Sequence, residues 1–131
     1  MKAFTDLEQS KKLAEILPLE SADMYWKNGI SDKYIQCFTP FVSDDDRSNV
    51  DFEYDVPCWS LAALLEVLDD IVVDDEGNEY SLTISKEEGM YYIYYHDRWE
   101  EVNDIETDCY YDYFVDACYE MIIKLHEQKL L

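Results

Sequence analysis

The sequence predicts one α+β domain over residues 1–131, an antiparallel sheet of about five strands packed by three helices, the last of them long. Three observations carry that expectation. Apolar positions from Tyr110 to Leu125 recur with the i, i+3, i+4, i+7 spacing of a helix over about four turns. Val50, Phe52, Tyr54 and Val56 alternate with Asp51, Glu53 and Asp55, the pattern of a half-buried strand. The elements follow in the order α-β-β-β-α-β-β-α, which suits an antiparallel sheet with helices against it. A chain of 131 residues supports one core rather than two. Its 48% hydrophobic and 15% aromatic content is too apolar for disorder.

The first helix is expected in FTDLEQSKKLAEILP, with Thr5 as N-cap, Glu8 completing a capping box and Pro18 as the stop. Ala22, Met24 and Trp26 alternate loosely before Asn28-Gly29, a turn dipeptide, and DKYIQCF reads as a short returning strand. VSDDDRSN is a charged loop ahead of the alternating strand. PCWSLAALLEVL reads as a helix beginning at Pro57 and apolar on most sides, hence buried. DDEGNE is a turn, YSLTIS a strand, and the last helix runs from about Thr107 to Gln128.

Between the strand YSLTIS and that helix lies GMYYIYYHDRW, five aromatics in eleven residues. With KEEG (Lys86–Gly89) as a four-residue loop, Ser85 stands opposite Met90 and Leu82 opposite Ile93. One face then carries Tyr80, Leu82, Ile84, Tyr91, Ile93 and Tyr95, plainly core. The other carries Ser81, Thr83, Ser85, Met90, Tyr92, Tyr94 and His96, half small hydroxyls and half large aromatics. Tyrosine brings a rigid apolar body and a polar tip at small entropic cost, so Tyr92, Tyr94 and His96 are candidate contact residues. A fold role, as cross-strand pairs under a covering helix, is the alternative.

The formal charge is −21, from 31 acids against 10 bases, and it is segregated. Residues 43–76 hold twelve acids and one base, and residues 87–120 eleven acids and one base. Direct binding to nucleic acid or an anionic membrane is excluded, because attraction to phosphate needs clustered Lys and Arg. A basic protein is the expected partner, although acidity also serves solubility alone. Asp108, Asp112, Asp116 and Glu120 recur every four residues and would form an acidic ridge on the last helix, able to imitate a nucleic-acid backbone. The plainer reading is a solvated helix face.

No cofactor or metal site is written in the chain. Cys37, Cys58, Cys109 and Cys118 form no C-x-x-C pair. Cys109 and Cys118, nine residues apart on one expected helix, point to opposite sides and cannot bridge. Asp74–Glu79 lacks the order of a calcium loop, and Asp44–Asp46 offers at most loose divalent binding. Catalysis has only His96 and His126 as general bases by type. His96 and Asp97 would face opposite ways on a strand, and no nucleophile, phosphate-loop or zinc motif accompanies them. Asp6 and Glu8 interrupt any secretory leader, and no apolar run approaches the roughly 20 residues of a membrane span. The expectation is a cytoplasmic protein with reduced thiols.

FTDLEQSKKLAEILPLESADMYW, PCWSLAALLEVL and VDACYEMIIKLHEQKLL resemble the matching segments of a family of small acidic bacterial proteins, often prophage- or mobile-element-associated, to which no activity is attached. The resemblance covers about two fifths of the chain, mainly helices. Where the family closes its central helix with a proline, this chain has Asp69. It implies a bacterial intracellular protein and assigns no site residue. Together these readings predict a non-catalytic acidic protein-binding module, in its sharpest form a nucleic-acid mimic. The alternative is a structural or self-associating protein whose acidity only serves solubility.

Overall fold

A computed structural model describes residues 2–26, 41–42 (backbone only), 56–99 and 103–131. The chain is α+β, every strand pair among the described residues is antiparallel, and its contacts cluster into two compact units, residues 3–63 and residues 1–2 with 64–131. The expected Asn28-Gly29 turn, the strand DKYIQCF with Cys37, the loop with Asp44–Asp46 and the alternating strand up to Asp55 lie outside the described residues.

The first unit contains α1 (Leu7–Ala14) and three short strands, β1 (Met24–Trp26), β2 (Phe41–Val42) and β3 (Val56–Cys58), ordered β2-β1-β3. The cap of α1 is Asp6, one residue beyond the expected Thr5. Gln9 N–H donates to the Asp6 carboxylate at 2.8 Å, and the Gln9 side chain accepts from Asp6 N–H at 3.0 Å. Thr5 is occupied elsewhere. It is fully buried, its hydroxyl accepts from Trp59 N–H at 3.1 Å and meets the Ser10 hydroxyl at 2.8 Å. Ser10 in turn accepts from the Trp26 indole at 3.1 Å. A buried hydroxyl left without these partners would be costly, so tertiary demand moves the cap onto the exposed carboxylate. The helix ends at Ala14, ahead of Pro18, which opens a single 3-10 turn over Leu19–Ser21. Trp26, Val56 and Cys58 form a core against which Phe4, Leu7 and Met24 pack.

The chain passes from one unit to the other along α2 (Leu61–Val67), the division falling between Ala63 and Leu64. Pro57 does not start this helix but belongs to β3, paired with Tyr25, and the fully buried Trp59 lies in the link. Asp23 accepts from both the N–H and the hydroxyl of Ser60, and that hydroxyl accepts from Ala63 N–H at 3.2 Å. Capping chemistry therefore sets the start at Leu61 rather than at the proline.

The second unit is a four-stranded sheet, β4 (Ile71–Val73), β5 (Glu79–Glu87), β6 (Met90–Asp97) and β7 (Ile105–Glu106), ordered β4-β5-β6-β7 and packed by α3 (Phe114–Glu127). The expected sheet of about five strands is thus two sheets of three and four among the described residues. The sequence reading passed over β4 and β7, which are too short to show a period.

The β5–β6 loop has two residues, not four. Glu87 pairs with Met90, Ser85 with Tyr92, Ile84 with Ile93 and Leu82 with Tyr95. Glu88 (φ 53°) and Gly89 (φ 79°) both take the positive φ that a tight hairpin turn requires. The register differs from the expected one by two residues. Because side chains alternate with period two, each still points to its expected face.

The last helix begins at Phe114, not near Thr107. Thr107 N–H donates to Ile93 O, and Tyr111 and Tyr91 exchange backbone bonds at 2.7 and 2.8 Å. Pairing with β6 outcompetes helix formation in a segment rich in Asp and Tyr, both indifferent helix formers. From Phe114 onward the expected stripe holds at Ala117, Cys118, Met121, Ile122 and Leu125, all fully buried, and Val115 joins them, whereas Tyr110 and Tyr113 lie exposed ahead of the helix. Each large apolar chain among the buried ones contributes roughly 1.5–3 kcal/mol of burial.

Glu88 holds a left-handed conformation that costs an L-residue about 1–2 kcal/mol and asparagine or glycine less. Glu88→Asn is expected to stabilise the protein by about 1 kcal/mol in denaturant melts, with no change in the slope on denaturant.

Candidate functional site

The two faces of the second sheet are chemically opposite, and β5–β6 pairing decides which residue joins which. On the inner face Ile93, Tyr95 and Asp97 are fully buried, Tyr91 stacks on Phe114 of α3 at 4.9 Å, and Tyr95 donates its hydroxyl to Asp69 O at 2.7 Å. Burial pushes the Tyr95 hydroxyl pKa well above its ordinary value, so it stays a neutral donor.

The outer face carries Ile71 and Val73 on β4, Ser81, Thr83 and Ser85 on β5, Met90, Tyr92, Tyr94 and His96 on β6, and Glu106 on β7. No residue of this group is buried, and Ile71 and Val73 are 44% and 54% exposed. The tyrosine stripe expected from the sequence therefore lies half open to solvent. It is also wider than expected, because Tyr110 stacks on Tyr92 at 5.0 Å and 26°, and Tyr94 tilts against Tyr92 at 5.7 Å.

Carboxylates hold the polar tips of Tyr92, Tyr110 and His96. Tyr92 donates to Glu106, and Tyr110 to Glu87 at 3.2 Å. His96 Nδ1 lies 2.9 Å from Asp104, which also accepts from Asp97 N–H at 3.2 Å. Burial first, then the Glu106 bond, raises the Tyr92 pKa, and the Glu87 bond leads in raising that of Tyr110. Both rings remain neutral across physiological pH, presenting apolar faces inside a negative rim. Tyr110, Asp104 and Glu106 were missed by sequence reasoning as parts of this face. Period two around Ile105 could have placed Asp104 and Glu106 near the face, but nothing local announces Tyr110.

The acidic ridge is rearranged. Asp108 and Asp112 precede α3, so the four acids are not one helical row. Asp108 pairs with Lys124 at 3.0 Å, and Asp116 with Lys2 at 2.6 Å. Lys124 also donates to Glu106 O at 2.6 Å, tying the sheet margin to α3. The Glu120 pKa is raised, first by burial and then by Asp108, Asp116 and Glu127. Asp108, Asp116 and Glu120 thus share one field, while Asp112 lies exposed ahead of α3.

Ser81 stands opposite His96 across the strands, and Asp104 lies 2.9 Å from the ring's Nδ1. His126 lies exposed in the last turn of α3. An open cleft of about 280 Å³ beside the β4–β5 turn is lined by Asp74, Asp75, Glu76 and Tyr80. Asp74 is fully engaged there, accepting from Glu76 and Asn78 N–H, the Asn78 amide and the Tyr80 hydroxyl, which lowers its pKa. This is the turn expected at Asp74–Glu79. Among the described residues no group of His, Cys, Asp and Glu is placed to hold a metal ion. Cys58 and Cys118 are buried free thiols and Cys109 an exposed one that precedes α3. No helix among the described residues is long and apolar enough to cross a membrane.

Comparison with family models, curated proteins and solved structures finds no match to this chain.

Glu120→Gln is expected to raise the melting temperature at pH 7. Folding raises this carboxyl's pKa above the ordinary 4.5, so the charged form opposes folding. The advantage of glutamine should therefore vanish as pH falls through 4.5, where the acid is protonated in both states. Salt should remove only part of it, since burial is the leading cause.

Proposed function

We propose that the chain is a non-catalytic acidic binding module that takes a basic partner protein on the outer face of its C-terminal sheet. The observation that carries this is the half-exposed cluster of Tyr92, Tyr94 and Tyr110, with the Tyr92 and Tyr110 hydroxyls held by Glu106 and Glu87 and the neighbouring His96 by Asp104. Neutral aromatic faces inside a ring of carboxylates suit Lys and Arg, which bring charge to the acids and a cation to the ring. The net charge of −21 steers such a partner from a distance and turns nucleic acid away. Asp108, Asp112, Asp116 and Glu120 add to that field in this reading. In its sharpest form the module occupies the nucleic-acid-binding surface of its partner, as a product of a mobile element could.

Self-association is the second reading, favoured by Ile71 and Val73, which leave aliphatic surface exposed on the same face. Light scattering at low and high salt separates the two, because apolar self-association survives salt.

The test is calorimetric titration with a lysine- and arginine-rich peptide. Affinity should fall steeply with salt, and Tyr94→Ala should weaken it by about 1–2 kcal/mol. Replacing Asp108, Asp112, Asp116 and Glu120 together by lysine should reduce association further. Equal binding by all three proteins would remove this face and these acids from the account.

A further inference from the structure

Among the described residues β5 runs on past the end of β4 and leaves part of its edge open. β4 pairs with β5 only over Glu79–Ser81, and Leu82 N–H donates to Asp70 O just beyond it. From Thr83 to Glu87, β5 has no neighbour on that side among the described residues. The Leu82 bond fixes which main-chain groups face outward. Backbone groups alternate between the two neighbours of a strand, so those of Ile84 and Lys86 point out of the sheet, while Thr83, Ser85 and Glu87 turn theirs to β6. Ile84 is 40% exposed at this edge. Natural sheets rarely leave such a template bare without blunting it with a charge, a proline or a bulge. Lys86 lies on this stretch, and its ammonium is drawn inward over the Tyr91 ring, 5.4 Å from the centroid.

The neighbourhood specifies what fits. Exposed Asp69 and Asp70 flank one end of the edge, and exposed Glu87 and Glu88 the other. On the outer face the residues nearest the edge, Thr83 and Ser85, are small, and behind them across the ladder stand Tyr94 and Tyr92. Strands lie about 4.8 Å apart, so a strand added outside β5 would have its side chains one strand width from the hydroxyls and two from the tyrosines. A short side chain would stop at the hydroxyls. An extended arginine or lysine could lie across this trough, its stem on Thr83 and Ser85 and its cation at the tyrosine faces and the Glu87 and Glu106 carboxylates.

We infer that an extended segment of a partner protein, bearing Lys or Arg at alternate positions, adds to the sheet beside β5 through the main chain of Ile84 and Lys86 and lays its cationic side chains over Thr83 and Ser85 toward Tyr92 and Tyr94. This rests on the basic-partner reading above and adds the mode of docking: main-chain bonds supply affinity, and alternate side chains supply choice. A second copy of this chain is a poor occupant. It would bring another charge of −21 and another pair of acidic ends to the same edge.

The probe is a synthetic peptide alternating arginine with threonine, added to the full chain. Amide exchange should slow at Ile84 and Lys86 when it binds. A peptide N-methylated at alternate residues keeps every charge and loses main-chain donors on one edge. With the methyl groups turned toward β5 it should bind roughly tenfold more weakly or worse, and with the methyl groups turned away it should bind as the parent does. Binding of both methylated peptides at the parent affinity, without slowed exchange at Ile84 and Lys86, overturns the edge docking while leaving the basic-partner reading in place. Failure of all three peptides to bind at low salt overturns both. Protection of Ile84 and Lys86 without peptide, growing with protein concentration, would assign the edge to a second copy and likewise overturn the inference.

Discussion

The antiparallel ladder between β5 and β6 is the constraint on which the rest of the second unit depends. It pairs eight residues of each strand, from Tyr80 opposite Asp97 to Glu87 opposite Met90, closed by two residues of positive φ. A slip of one residue would turn Ile93 and Tyr95 out to water and bury Tyr92, Tyr94 and His96 with their carboxylates. The fully buried state of Ile93 and Tyr95 prevents that slip. The core thus dictates the exposed face indirectly: once the inner face is satisfied, the tyrosine stripe has nowhere else to go.

Charge is the second organising effect. A chain with 31 acids and 10 bases must place like charges together, and three devices soften the result. Asp6 caps a helix, and Asp23 reaches helix α2 through Ser60. Asp74 closes a turn on four donors. Asp108, Asp116 and Glu79 are neutralised by Lys124, Lys2 and Arg98. The carboxylates at the tyrosine tips do none of these jobs. Glu87, Asp104 and Glu106 hold aromatic or imidazole groups at the surface, where the cost of order brings little core stability.

How much of this was legible in the sequence follows from the range of the interactions. The faces of the hairpin were legible because alternation survives a two-residue error in register. The interior of α3 was legible because its stripe runs over four turns of local period. What failed was set by partners distant in sequence. Thr5 reads as a cap, but its hydroxyl serves Trp59. Residues 107–112 read as helix, but Tyr111 pairs with Tyr91. Asp104 and Tyr110, which complete the outer face, arrive from segments whose local pattern says nothing about β6. Two- and three-residue strands such as β7 and β4 carry no period at all.

The central claim is that the outer face of the C-terminal sheet, rather than acidity in general, is the recognition surface. The most direct measurement is the amide NMR spectrum of the isotope-labelled protein titrated with a lysine-rich peptide. The account predicts that shift changes concentrate at Thr83–Glu87, Met90–His96 and Tyr110, and spare the buried positions of α3. Changes spread evenly over every acidic segment, or confined to Asp116 and Glu120, would contradict it and reduce the charge to a solvation device.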